Sequence, residues 1–281
     1  VNDESIREAL DRHGLLARKS LGQHFLLDLN LTRKIARAAG DISGKAVLEI
    51  GPGPGGLTRA LLEAGADPLI AIERDARFLP LLEEMSAAHG GRLRIVHADA
   101  LAVDEAALLG VNAEAPVPVV SNLPYNVGTP LLVKWLKAGP WRGPMTLMFQ
   151  KEVAERAAAQ AGSAAYGRLA VLCQARCTAR IVLDVPARAF TPPPKVASAV
   201  VRLVDNPSPY ADLAALETVT AAAFGQRRKM LRSALRSLGP LGGDAVLEAA
   251  GIAPEARAET VPPEGFFRMA DAWRTLYGGA R

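Results

Sequence analysis

Asn122-Leu123-Pro124-Tyr125 is the stretch of this sequence best equipped for chemistry. An exocyclic amino group on a base or amide is a poor nucleophile, because its lone pair is delocalised. Two acceptors on its N–H groups can turn that lone pair toward an electrophile. The Asn122 side-chain oxygen supplies one acceptor and the Leu123 backbone carbonyl the other. Pro124 fixes the chain and keeps Leu123 extended. Tyr125 offers a flat face for an extruded base, and a ring that favours a nearby cation. The chemistry that fits is methyl transfer from a cationic donor to an amino nitrogen, driven by orientation and electrostatics rather than by a strong base. Local sequence alone would also fit a simple turn after a strand, so the position of the motif decides.

A second motif lies upstream. Gly51-x-Gly53-x-Gly55-Gly56, after Leu48-Glu49-Ile50, reads as a strand-to-helix turn whose glycines let a ligand approach the backbone. Alone it would fit a dinucleotide, with Glu73 near the usual acidic position. Two details favour S-adenosyl-L-methionine. Pro52 and Pro54 crowd the helix N-terminus where a dinucleotide sets its pyrophosphate. A second acid, Asp99 in Ala98-Asp99-Ala100, can accept from the amino group of an adenine. Glu73 would then take both ribose hydroxyls.

The elements that must position these residues follow from the apolar periodicity. Strands are expected at 46–50, 69–73, 93–97, 117–121, 145–149, 180–185 and 198–204. Helices are expected at 5–13, 29–39, 57–64, 78–88, 130–136 and 166–177. Strands apolar on both faces and alternating with helices mean a mainly parallel sheet covered on both sides. Glu49, Glu73, Asp99 and Asn122 then sit at strand C-termini, where open α/β sheets bind ligands. The fold class is therefore α/β and Rossmann-like, with a seven-stranded sheet. Asp205-Asn206-Pro207-Ser208-Pro209 reads as a linker, which divides the chain into domains at 1–204 and 205–281. The second is all helical, with helices at 211–223, 226–238, 243–250 and 264–276.

At 281 residues and 49% hydrophobic, the chain can bury a full core, which argues against disorder. A net charge of +4 permits a polyanionic partner without requiring one. Cys173 and Cys177 lack partners for a structural metal and read as packing residues, so no metal is expected. The chain begins at Val1, without an initiator methionine. Its acidic and basic N-terminus lacks the apolar run of a signal peptide, and no segment is apolar enough to span a bilayer. A cytoplasmic protein without a membrane partner is expected.

Together these motifs resemble the KsgA/RsmA family of ribosomal RNA adenine dimethyltransferases, relatives of the Erm resistance methyltransferases and the eukaryotic Dim enzymes. The similarity runs over nearly the whole chain. It rests on Lys19 to Leu26, Leu48 to Gly56, Glu73-Arg74-Asp75, Ala98 to Ala100, Asn122 to Tyr125, Phe149 to Glu152, Phe190 to Val196 and Phe224 to Lys229. By that resemblance His24, where the family often has Asn, and Leu26 close over the cofactor. Gly51, Gly53, Glu73, Asp99 and Asn122 bind it, and Phe190 is a second stacking platform opposite Tyr125. The resemblance also implies two methyls on each of two adjacent adenines in the 3′-terminal stem-loop of 16S rRNA. The partner would be the immature 30S subunit, and the enzyme a monomer.

Arg18, Lys19 and Lys195 flank the expected site, and Gln226 to Arg236 carries Arg227, Arg228, Lys229, Arg232 and Arg236 without an acid. Such clustering fits phosphate binding and makes the helical domain the RNA holder. Three rivals stand against this reading: an Erm-type enzyme acting on 23S rRNA, a ribosome-assembly factor that keeps the fold, and a dehydrogenase. Leu123, the Phe190 to Lys195 segment and the 205–281 region argue against the first.

Overall fold

The computed structural model describes residues 5–15, 23–110, 116–239 and 242–278. The expected Arg18 and Lys19 contacts lie outside them. The chain divides into two compact units, 1–154 with 180–204, and 155–179 with 205–281. The second unit therefore holds 155–179 in addition to the C-terminal segment, a grouping that the linker at 205 does not reveal.

The first unit begins with α1 (Ile6–Arg12), the short β1 (Phe25–Leu26) and α2 (Leu29–Ala38). Alternation follows: β2 (Val47–Ile50), α3 (Gly56–Glu63), β3 (Leu69–Glu73), α4 (Leu79–Ala88), β4 (Leu93–His97), α5 (Glu105–Leu109), β5 (Val117–Asn122), α6 (Gly128–Leu136) and β6 (Arg142–Gln150). After α7 (Lys151–Ala157) and α8 (Arg168–Arg176) come β7 (Cys177–Val185), β8 (Phe190–Thr191) and β9 (Ser198–Asp205). Seven strands form one sheet in the order β4-β3-β2-β5-β6-β9-β7. Strands β4, β3, β2, β5 and β6 pair in parallel, and β9 runs antiparallel to β6. Every residue of β2 and β3 is buried, as two covered faces require. A separate ribbon pairs β1 with β8, Phe25 opposite Thr191 and Leu26 opposite Phe190.

Two glycines show why this sequence can close the site. Gly51 has φ 64°, and a Cβ there would press on the Pro124 ring at 3.3 Å. Glycine at 51 thus lets the cofactor turn and the Asn-Leu-Pro-Tyr loop pack side by side. A Cβ at Gly56 would collide with the Leu26 carbonyl, so the segment leading into α2 lies directly on the start of α3.

The second unit carries α8, then α9 (Leu213–Gly225), α10 (Leu231–Ala234), α11 (Gly242–Ala250) and α12 (Pro263–Tyr277). Its core gathers Leu216, Val219, Leu231, Leu247, Phe266 and Met269, all fully buried. Phe224 stacks on Phe266 at 5.3 Å, and the Tyr166 hydroxyl donates to the Val261 carbonyl at 2.9 Å. The helix expected at 226–238 is not continuous. Gln226 leaves helical geometry at φ −126°, and α10 starts only at Leu231, followed by a tight turn of 3-10 helix at Leu235–Leu238. The backbone there is claimed by the 254–257 segment: Met230 bridges Arg257, and Leu231 N–H donates to Ala256 O at 2.8 Å. Cys173 is buried on α8 and Cys177 is buried at the start of β7, both as free thiols. Among the described residues, no helix is long and apolar enough to cross a membrane.

Candidate active site

A cleft of about 420 Å³ opens at the C-terminal ends of β2, β3, β4 and β5, within the range of small-ligand sites. It brings together His24, Leu26, Gly51, Gly53, Glu73, Asp99, Asn122, Leu123, Tyr125 and Phe190. All were expected there from the sequence or its resemblance. Lys195, Arg227, Arg228 and Lys229 are not in its lining.

The floor of the cleft is the glycine turn. Gly51, Gly53 and Gly55 all have positive φ, which turns successive backbone groups toward the space that a ligand would fill. Glu73, at the end of β3, is buried. One of its carboxylate oxygens accepts from Gly53 N–H at 2.9 Å and the other from Asp75 N–H at 2.7 Å. Burial raises its pKa, and the backbone donors at Asp75 and Gly53 oppose that. The Arg74 N–H adds to that opposition, and the carboxylate retains acceptor capacity toward the cleft. Asp99 sits at the rim, accepting from Leu101 N–H at 3.0 Å and pairing with Arg74 at 3.2 Å.

Glu49 is the unusual group. It is 1% exposed and lines the cleft, and among the described residues its Oε2 has no hydrogen-bond partner. Burial pushes its pKa up to about 8. An orphaned buried carboxyl facing a cleft fits a cationic ligand group better than an empty role in packing.

The Asn122–Tyr125 loop is held from both sides. The Ser121 hydroxyl donates to Ile50 O at 2.6 Å, fastening the end of β5 to the end of β2. Asn122 pairs in register with Met148 of β6. Among the described residues its side-chain amide makes no hydrogen bond, and neither does the Leu123 carbonyl, so both acceptors are uncommitted. The Tyr125 and Ser198 hydroxyls share a bond of 2.7 Å, which sets the ring orientation. Burial raises the Tyr125 pKa, keeping the phenol neutral and suited to stacking rather than proton transfer.

Residues 23–26 line the cleft beside the Asn122–Tyr125 loop. The His24 ring lies 5.9 Å from the Tyr125 ring, and its Nδ1 is 2.8 Å from Pro192 O. Gln23 reaches Asp75 at 2.9 Å. Phe190 departs from expectation. It reaches the cleft but is only 3% exposed and belongs to the hydrophobic core of the unit. Its strand β8 pairs with β1, with Phe190 opposite Leu26. Sequence reading missed Ser198 and Ser121, whose roles depend on partners far along the chain and leave no local pattern.

The family model described as ribosomal RNA adenine dimethylase matches residues 14–274. The chain belongs to the ribosomal RNA adenine dimethylase family. It is similar to the ribosomal RNA small subunit methyltransferase A of Phenylobacterium zucineum, 62% identical over 273 residues, 96% of this chain and 92% of that one. The protein of the same name from Caulobacter vibrioides is 61% identical over 268 residues, 94% of this chain and 99% of its own. Among solved structures, a dimethyladenosine transferase from Plasmodium falciparum superposes with a TM-score of 0.74 at 27% identity, covering 88% of this chain and 96% of that one. The 23S rRNA methyltransferase ErmE gives 0.65 at 28% identity, covering 88% and 98%. Both the family and the sheet order place this chain among Rossmann-like methyltransferases, so the dehydrogenase reading is set aside.

The basic residues expected from the sequence to face RNA are distributed over both units. Lys195 is exposed in the first unit, after the Pro192–Pro194 run. In the second, Arg227, Arg228 and Lys229 stand exposed on the turn between α9 and α10 rather than along a helix. The Arg227 guanidinium donates to Ala164 O at 2.7 Å, and Arg232 lies 3.8 Å from Glu255, an acid that the local sequence did not show.

Proposed function

We propose that this chain transfers methyl groups from S-adenosyl-L-methionine to N6 of two adjacent adenines in the 3′-terminal stem-loop of 16S rRNA, giving N6,N6-dimethyladenosine. The substrate would be the immature 30S subunit, and the enzyme a cytoplasmic monomer. The observation that carries this reading is the pair of acceptors in the cleft lining, the Asn122 amide oxygen and the Leu123 carbonyl, which have no hydrogen-bond partner among the described residues. Family membership and the named relatives favour the small subunit over an Erm-type 23S rRNA target.

The residues present fit the cofactor. Gly51 and Gly53 let it approach the backbone, Glu73 takes its ribose hydroxyls, and Asp99 takes its adenine amino group. His24 and Leu26 cover it, and the orphaned Glu49 oxygen is placed for its amino group. When bound, S-adenosyl-L-methionine supplies an electrophilic sulfonium methyl. The chain does the rest by positioning. Asn122 and Leu123 accept the two N–H groups of the target adenine, aligning its nitrogen lone pair with the methyl. Tyr125 stacks on the extruded base, and Ser198 keeps that ring from turning. With no strong base in the cleft, the proton of the methylated nitrogen leaves to water. Phe190 serves as a second platform only after swinging out of the core.

Labelled S-adenosyl-L-methionine with small subunits lacking the adenine methyls, and large subunits in parallel, tests this directly. Label recovered as N6,N6-dimethyladenosine in small-subunit RNA is expected. Label confined to large-subunit RNA would move the chain to the resistance branch. Cofactor binding without label in either would favour an assembly factor. Arg227 and Arg228 would contact phosphates, with Lys229 and Lys195 extending that surface. Arg227→Glu with Arg228→Glu should weaken RNA binding about tenfold or more and flatten its salt dependence. Cofactor affinity should stay unchanged, and unaltered RNA affinity in a filter-binding titration would remove this turn from the interface.

A further inference from the structure

The wall of the cleft that carries Asp99 is a loop without regular structure, running from the end of β4 at His97 to the start of α5 at Glu105. Its own bonds are few. Leu101 N–H donates to the Asp99 side chain at 3.0 Å, and Ala102 N–H to the Asp99 carbonyl at 2.9 Å. Its start is held by Ala98 N–H on Glu73 O at 3.1 Å and by Arg74 on the Asp99 carboxylate at 3.2 Å, which leaves the stretch beyond Asp99 to be fixed by something else.

That role falls to Lys134 on α6. Its ammonium donates to Ala100 O at 2.8 Å, to Val103 O at 2.6 Å and to Glu105 Oε1 at 2.8 Å. All three of its donors are used, and two of them grip the backbone on either side of Leu101 and Ala102. The Glu105 carboxylate is itself buried, and the same oxygen accepts from Trp135 Nε1 at 2.9 Å. Trp135 is fully buried and cannot shift without disturbing the core. The ammonium is thus anchored by a carboxylate that is anchored by an indole. Lys134 is not itself in the cleft lining and reaches it only through the Ala100 carbonyl.

We propose that Lys134 is a positioning residue that sets Asp99 to read the amino group of the cofactor's adenine. The inference rests on the cofactor reading above and deepens it by naming what gives the site its preference for adenine. A carboxylate rewards an amino group and repels the carbonyl of a hypoxanthine, so discrimination depends on where Asp99 is held. Loosening the loop should cost the adenine contact and spare the ribose and methionine contacts, which come from Glu73, Gly53 and Glu49.

The test measures binding of S-adenosylhomocysteine and of S-inosylhomocysteine, its hypoxanthine counterpart, to wild-type protein and to Lys134→Met and Lys134→Gln variants, with melting curves to confirm folding. Wild type should prefer the adenosyl ligand. In Lys134→Met the adenosyl affinity should fall about tenfold, the worth of one good hydrogen bond. The inosyl affinity should stay within twofold, and kcat at saturating donor should be nearly unchanged while KM rises. Lys134→Gln, which keeps two donors, should fall between, and it serves if the Met variant does not fold. Equal losses for both ligands would show a merely structural role and overturn the proposal, as would no loss for either. A wild type that binds both ligands equally would overturn the Asp99 assignment and this proposal together. A wild type that binds neither would overturn the cofactor reading itself.

Discussion

Asn122→Ala is expected to lower kcat for methyl transfer by about a thousandfold, on the scale seen when a positioned hydrogen-bonding group is removed from a transition state. Cofactor affinity should change only a few-fold. The split follows from the geometry. The Asn122 amide is uncommitted among the described residues, so its removal leaves no broken internal bond. The backbone that carries it is held independently, by the Ser121 hydroxyl on Ile50 O and by the register of β5 with Met148. The variant should therefore fold, bind cofactor and bind RNA while losing the acceptor that aligns the amino lone pair. Single-turnover methylation beside a cofactor titration separates these effects. Near-normal turnover would refute the mechanism.

Glu49→Gln is expected to stabilise the free protein at alkaline pH. The folded-state pKa of Glu49 is raised by burial to about 8, above its ordinary value of 4.5. Between those values the folded state holds a proton that the unfolded state has released, so stability falls as pH rises through this window. Below the ordinary value both states are protonated and the penalty is absent. Above about 8 both are ionised and the penalty is complete. Glutamine keeps the shape without the titration, so the variant should gain on the order of 4 kcal/mol at pH 8 and no more than about 1 kcal/mol near pH 5. Denaturant melts at the two pH values measure the difference. A gain that does not vary with pH would show that ionisation of Glu49 is not its source.

The sheet was legible because its central strands are apolar on both faces, and the 69–73 and 93–97 strands fall where the pattern put them. The cleft residues were legible for a related reason: Glu49, Glu73 and Asn122 are polar residues at or near the ends of apolar strands, and Asp99 follows one closely. What escaped depends on partners distant in sequence. Helix α5 is preceded by Asp104, whose side chain caps Ala107 N–H at 3.1 Å, a local signal that was available. The break at 226–230 has no such signal, because it is imposed by pairing with 254–257. Helix α8 shows an apolar face, but periodicity does not say which core that face joins. The hold of Lys134 on Ala100 and Val103 has no pattern at all, since backbone carbonyls carry no sequence.

The ribbon of β1 and β8 has a consequence for how the protein is made. His24 and Pro192, joined across it, are separated by 168 positions. Closing so long a loop is entropically costly and cannot begin until both ends exist. During synthesis the glycine turn and the first strands emerge early, with the clasp over them missing its second half. A growing chain is thus expected to acquire its grip on the methyl donor late, after Pro192 has left the ribosome. An enzyme that modifies ribosomes would in this way stay idle while still tethered to one.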